Sequence, residues 1–375
     1  MPVWGNREKS GATTRVSLDS VPKDGYARGT ATMCRVLFLA AIAFLHIGCA
    51  ASPPESGDAR AFFKGKTMTY VVASDPGGGY DAYGRLVSQY LGRYLSADRV
   101  VVKTVPGGGA VVGTNELYSA RPDGLTLGIF NTGIIYAQLL KRDGLRADLR
   151  RMSWVGKAGG EPRVLTVSAK AGFRSLDEMR AARRPVLLGV NGAGNEGYYD
   201  SMLLAHAIGL QFKPVFGMDS VDSQLSMMRG EIEGRFSSAS TARTFVANGH
   251  GVMIIRVGSG AGVDEGIPDA GRFATSSTSV ALVEIVRSVA MLARWTAGPP
   301  GIPADRLAVL REAYLLALHD PGLLEAARRL DIPIVPMDGA TLASAIERSM
   351  AVSPETVALI ASLAGAERTE RSAGC

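Results

Sequence analysis

Cysteine is nearly missing from this chain, at three in 375 residues, and histidine is as sparse, at four. Cys34, Cys49 and Cys375 offer no disulfide framework. The first lies in the N-terminal signal region and the second at its expected cleavage site, so only Cys375 is expected to remain as a free thiol. His46, His206, His250 and His319 show no metal-ligand spacing, and no metal is expected. His206 reads as packing or surface in an apolar helix, and His250, between Gly249 and Gly251, as turn material. No Lys/Arg-rich run with interleaved aromatics occurs and the formal net charge is only +6, so nucleic acid is not an expected partner and small anions are favoured. There is no Gly-x-x-x-x-Gly-Lys-Ser/Thr phosphate loop and no Gly-x-Ser-x-Gly elbow. The acids form no paired motif that stands out from helix surfaces. The chain is expected to be no enzyme and to need no cofactor.

A long membrane-spanning run is also missing. The apolar stretch from Val36 to Ile47 falls short of the roughly 20 residues that cross a bilayer. It suits a signal-peptide core instead, with Met33 as the simplest true start and Arg35 in a short basic region. His46-Ile47-Gly48-Cys49 resembles a bacterial lipobox, which implies lipidation at Cys49; ordinary cleavage after Ala50 or Ala51 is the alternative. Residues 1–59 are thus read as leader, signal peptide (about 33–48) and polar tether, and the protein as periplasmic, either free or lipid-anchored.

Glycine, by contrast, is abundant, with 45 residues. Three times a β-rich apolar run breaks into a glycine cluster and reopens as a helix: at Asp75 to Asp81, at Val105 to Ala110, and at Asn191 to Gly197. Such a turn leaves backbone N–H groups unpaired beside the positive end of a helix dipole, which makes an anion cradle. Gly77-x-Gly79-x-x-Ala82 and Gly192-x-Gly194-x-x-Gly197 also fit the dinucleotide pattern. That reading needs an acid at the end of the second strand to hold a ribose. Here the strand from Val100 to Val105 runs into another glycine turn instead.

From Met68 onward strands and helices alternate. The pattern predicts strands at 68–73, 100–105, 125–130, 163–168, 186–190, 215–216, 232–236, 252–257 and 334–335. Helices are predicted at 80–95, 111–120, 198–208, 220–228, 304–319, 321–330 and 339–350, with others opened by Ser175, whose capping box includes Glu178, and by Val280. Trp295 to Pro303 reads as a rigid turn. This order implies α/β architecture with mainly parallel sheets, and right-handed crossovers then place the glycine turns at the carboxyl edges of the strands. At 375 residues there is room for two domains of ordinary size.

Pro76-Gly77-Gly78-Gly79-Tyr80-Asp81, Pro106 to Gly109, Pro122 to Leu127, Gly192 to Gly194, Arg229-Gly230-Glu231 and Gly298 to Pro303 occur in an order that resembles the Bug family. These are TctC-like extracytoplasmic solute receptors of tripartite tricarboxylate transporters, and the resemblance runs from about Phe62 to about Met350. It implies a type II periplasmic-binding-protein fold with a ligand cleft between two α/β domains, residues 60–161 plus 296–375 and residues 162–295. It also implies a monomeric receptor that captures a small organic carboxylate, gripped by backbone N–H groups and ordered water, and hands it to the transporter's membrane subunits. A periplasmic sensor feeding a signalling partner is the alternative.

Carried over to this chain, the ligand-binding positions are Gly78, Gly79, Tyr80 and Asp81 in the first loop and Gly108 and Gly109 in the second. Asn131 and Thr132 stand at the end of the third strand. Gly192, Ala193, Gly194 and Asn195 form the opposing lip, with Ser237 and Ser238 on a later strand. Asp81 would repel a carboxylate, so its expected task is to accept N–H bonds at the helix start. Two departures from the family pattern are the missing Asn of the second loop and Val215 to Asp219, where many members carry a Lys.

Overall fold

The computed structural model describes residues 56–260 and 263–373. The readings made on the leader, the signal peptide and Cys49, and on the free thiol of Cys375, lie outside the described residues.

A short helix, α1 (Ser56–Ala61), leads into β1 (Thr67–Ala73), α2 (Gly79–Tyr94), β2 (Arg99–Thr104), α3 (Val111–Tyr118), β3 (Thr126–Phe130), α4 (Gly133–Leu139) and β4 (Ser153–Lys157). Next come β5 (Arg163–Ser168), α5 (Leu176–Ala181), β6 (Val186–Gly189), α6 (Glu196–Ala207), β7 (Phe212–Val215), α7 (Ser220–Arg229), β8 (Gly234–Ser238), α8 (Ala239–Ala247), β9 (Gly251–Val257) and α9 (Ser277–Met291). The chain continues through β10 (Trp295–Gly298), α10 (Ala304–Leu318), α11 (Pro321–Arg329), β11 (Met337–Asp338), α12 (Gly339–Ser349) and α13 (Pro354–Ala373). Among the described residues no helix is long and apolar enough to cross a membrane.

Two sheets organise these elements. One has the order β11-β4-β10-β3-β1-β2, the other β7-β6-β8-β5-β9. In the first, β1 pairs in parallel with β2 (Thr67↔Arg99) and with β3 (Thr69↔Thr126). Val71, Val72 and Ala73 are all buried, as expected for a parallel strand covered on both faces. Helix α2 lies close against this sheet because Gly84 presents no side chain: a Cβ there would stand 2.7 Å from Val72. Tyr80, Tyr83, Val87 and Leu91 form its buried face.

The sheets are more mixed than the strand-helix alternation predicts. Trp295–Gly298, read from sequence as part of a rigid turn, is the strand β10, antiparallel to both β3 and β4 in the middle of the first sheet. Its indole packs against Phe130 and Trp154 at 5.3 Å between ring centroids in each case. The short strand expected at Ile334-Val335 falls at Met337–Asp338. In the second sheet β6 is parallel to β7 and β8, whereas β5 is antiparallel to β8 and β9. Gly230 ends α7 with a left-handed φ of 84°, a conformation that favours glycine at a helix C-terminus.

Candidate functional site

The first glycine loop leaves the carboxyl end of β1, the second that of β2 and Asn131-Thr132 that of β3. The third loop leaves the carboxyl end of β6, and Ser237-Ser238 ends β8. In open α/β sheets this is the edge where ligands are held. Residues of both sheets meet here around a cavity of about 90 Å³, bounded by Ser74 to Tyr80, Asn131, Asn195 to Gly197, Asp219 to Val221, Ser237, Ser238, and the arginines Arg163, Arg235 and Arg294.

Of the positions expected from sequence, Gly78, Gly79, Tyr80, Asn131, Asn195, Ser237 and Ser238 line this cavity. Gly108, Gly109 and Gly192 line an adjoining hollow of about 440 Å³ that shares Ser74 to Pro76, Asn131 and Asn195 with it. Ala193 and Gly194 face a third hollow, with Leu140 to Asp143 and with Tyr198, Tyr199 and Phe216. Gly109 sits directly on the third loop, where a Cβ would stand 2.7 Å from the carbonyl carbon and oxygen of Gly194. The second loop therefore contributes contact between loops as well as a wall. Asp81 is buried, accepts from the Gly77 N–H at 3.1 Å and is bonded by Arg85 at 2.9 Å. Thr132 is buried too and turns its hydroxyl to Glu196.

Sequence reasoning missed the charged centre. Glu196 opens α6 after the N-cap Asn195. Its Oε2 accepts from the Tyr80 hydroxyl at 2.6 Å and the Thr132 hydroxyl at 2.7 Å, and its Oε1 lies 3.4 Å from Arg163. Arg163, the first residue of β5, also reaches Asp200 at 2.6 Å. Burial works to raise the Glu196 carboxyl, but Arg163, then Arg294, and the two hydroxyl donors leave it below the ordinary value. Asp200 behaves in the opposite way: burial, its largest influence, outweighs Arg163 and pushes it up to about 7.

Arg294 comes from the junction of α9 and β10, at φ 64°. Its guanidinium lies 4.1 Å over the Tyr80 ring and 5.1 Å over that of Tyr83. Its Nη2 is 3.9 Å from Glu161. A Cβ on Gly79 would stand 2.9 Å from that same Nη2, so the first glycine loop is what makes room for the cation. Arg235 projects from β8, and its Nη1 donates to the Asp219 carbonyl at 3.0 Å. The available signal for it was a lone cation inside Gly234-Arg235-Phe236, a strand otherwise of small and apolar residues. Chemically the site offers a helix N-terminus, hydroxyls, amides, the acids Asp75, Glu196 and Asp219, and three guanidinium groups, of which those of Arg163 and Arg294 have carboxylate partners. Among the described residues no group of His, Cys, Asp and Glu could hold a metal ion.

No protein-family model matches the chain. A curated relative, the UPF0065 protein in the tcbD-tcbE intergenic region of Pseudomonas sp. (strain P51), is 26% identical over 186 residues, 48% of this chain and 55% of that protein. A second UPF0065 protein, from Bordetella bronchiseptica, is 28% identical over 120 residues, 32% of this chain and 36% of that one. The alignments thus span about half and about a third of these relatives. Among solved structures, a TctC solute binding protein from Polaromonas has a TM-score of 0.59 at 19% identity, covering 79% of this chain and 98% of that one. MatC from Rhodopseudomonas palustris with bound malate has a TM-score of 0.64 at 18% identity (78% and 99% covered). An R. palustris protein with adipate has 0.65 at 17% (80% and 97%). The fold is that of periplasmic solute-binding proteins, and the resemblance to the TctC/Bug type read from the motifs recurs in these structures.

Proposed function

We propose that this chain is a solute receptor of the TctC/Bug type that captures a small organic carboxylate between its two sheets. One observation carries the reading. The N-terminal glycine loop of α2 and the guanidinium groups of Arg163, Arg235 and Arg294 open on one small cavity, a setting in which unpaired N–H groups and cations favour an anion. The malate and adipate bound in structures of the same fold support a carboxylate. Gly78, Gly79, Tyr80, Asn131, Asn195, Ser237 and Ser238 are the contacts we assign from the sequence, with the arginines added.

The strand partition supports a two-domain reading, residues 60–161 plus 296–375 and 162–295, because β1–β4, β10 and β11 build one sheet and β5–β9 the other. In this reading the protein is exported, stays free or tethered through Cys49, acts as a monomer without catalysis, and delivers its ligand to a tripartite tricarboxylate-type permease. A sensor that presents the bound acid to a signalling partner would use the same site.

A thermal-shift screen of the purified protein against organic acids and their neutral amides tests the reading. A ligand at 100 times its Kd adds about 2.7 kcal/mol of apparent stability. A selective shift with an acid supports the receptor; a shift only with neutral or cationic compounds overturns it.

A further inference from the structure

The three arginines at the cavity are not equivalent. Arg163 has two carboxylate partners, Asp200 at 2.6 Å and Glu196 at 3.4 Å, and Arg294 has Glu161 at 3.9 Å together with the faces of two tyrosines. Among the described residues Arg235 has no carboxylate oxygen within 4 Å. It is only 7% exposed. Its Nη1 is satisfied by the Asp219 carbonyl, but its Nε is buried with no hydrogen-bond partner.

A guanidinium cannot escape this position by giving up its proton, and a buried cation with no carboxylate in direct contact is costly, even with Asp219 and Glu196 near enough to offset part of the charge. The position is not an accident of a frayed end. Arg235 lies inside β8, held in register opposite Thr166 of β5, and the cavity wall that it forms is shared with Ser237, Ser238 and the first glycine loop.

We propose that Arg235 is the anion anchor of this receptor, taking one carboxylate of a small organic acid through the parallel donors of its Nε and Nη2 edge. That inference rests on the receptor reading given above and changes its mechanism. Recognition then depends on a side-chain fork that fits two coplanar oxygens, in addition to the backbone N–H groups that the family resemblance implies. Burial, and next to it the charge of Arg163, outweigh the nearby Asp219 and Glu196 carboxylates and bring the Arg235 guanidinium down to about 10.

The test compares the full chain with Arg235→Gln and Arg235→Lys by isothermal titration against mono- and dicarboxylic acids, with the matched neutral amides as a second arm. The melting temperature of each ligand-free protein is recorded alongside. Removing a buried ion partner should cut carboxylate affinity roughly 100-fold in Arg235→Gln, and Lys, which keeps the charge but not the fork, should lose about tenfold. The ligand-free Gln variant should melt at or above the parent temperature, because a buried cation with no carboxylate in direct contact has gone. Carboxylate affinity unchanged in Arg235→Gln overturns the anchor while leaving the receptor reading intact. A ligand-free melting temperature that falls in both variants, with affinities unaltered, likewise makes Arg235 structural. No carboxylate binding to the parent overturns both readings, and neutral amides bound as tightly as the acids overturn the charge-paired fork. If Arg235→Gln fails to fold, the tenfold loss in Arg235→Lys decides the matter alone.

Discussion

The hydroxyl of Tyr80 donates to Oε2 of Glu196 at 2.6 Å, joining the first turn of α2 to the first turn of α6. One residue belongs to the first glycine loop and the other to the third, so two helix starts that follow strands of different sheets are tied by a charge-assisted bond. The same hydroxyl accepts the Thr132 N–H at 3.2 Å, which brings in the end of β3.

Tyr80→Phe removes that bond and leaves Glu196 with Thr132 and Arg163. A hydrogen bond to a charged group is worth about 1.5–3 kcal/mol, so urea unfolding should show a loss in that range. A loss under about 0.5 kcal/mol, the size of an ordinary surface change, would mean that the bond does not hold the two helix starts together.

The second loop offers a paired comparison. Gly109 has φ 67° and a Cβ there would meet Gly194 at 2.7 Å, whereas Gly108, at φ 61°, would meet only Val111 at 3.4 Å and Val112 at 3.8 Å. Gly108→Ala should cost about 1–2 kcal/mol for its left-handed backbone alone. Gly109→Ala should cost more, because the loops must also separate. Equal losses in thermal melts of the two variants would contradict the close approach.

Gly79→Val tests the first loop as a ligand contact. Gly79 has an ordinary φ, so the backbone accepts a side chain, but the new Cβ would displace the Arg294 guanidinium from 2.9 Å. Helix propensity does not oppose the change, because Val ranks above Gly in a helix. The expected result is a folded protein whose affinity for its acid falls more than about tenfold, as a lost charged contact implies; unaltered affinity would remove the loop from the site.

Asp200 sets a pH dependence. Its folded-state carboxyl is raised from 3.8 to about 7, so the native state binds the proton more tightly than the unfolded chain. Unfolding free energy then falls as pH rises between about 4 and 7. Denaturation at several pH values should show wild-type stability declining relative to that of Asp200→Asn over that window. Glu196, whose carboxyl is lowered, contributes in the opposite sense, with stability present above its unfolded value and lost as pH falls through its folded one. An unchanging gap between the two proteins would refute the raised carboxyl.

Much of the fold was legible because its signals are local. The strand from Arg163 to Ser168 and the helix from Ser220 show this, the latter capped by Asp219 and stopped by Gly230. Strand β4 was not legible. Ser-Trp-Val-Gly-Lys has a polar residue at each end, and what makes it a strand is β10 on one side and β11 on the other, each more than 100 residues away. Helices α4 and α8 also escaped notice, since Gly133–Leu139 and Ala239–Ala247 are short and directly follow strand ends.

For the site, the sequence by itself determined where the backbone could receive an anion. A glycine cluster between a strand and a helix start has the same consequence in any surroundings, because it depends only on φ, on the missing Cβ and on the unpaired N–H groups of the first turn. Only the tertiary structure decided which charges meet there. Arg163 finds Asp200 and Glu196, Arg294 finds Tyr80 across more than 200 residues, and Arg235 finds no carboxylate oxygen within 4 Å among the described residues. Coulomb and desolvation energies depend on distance and burial in three dimensions, and neither is written in the spacing of residues along a chain.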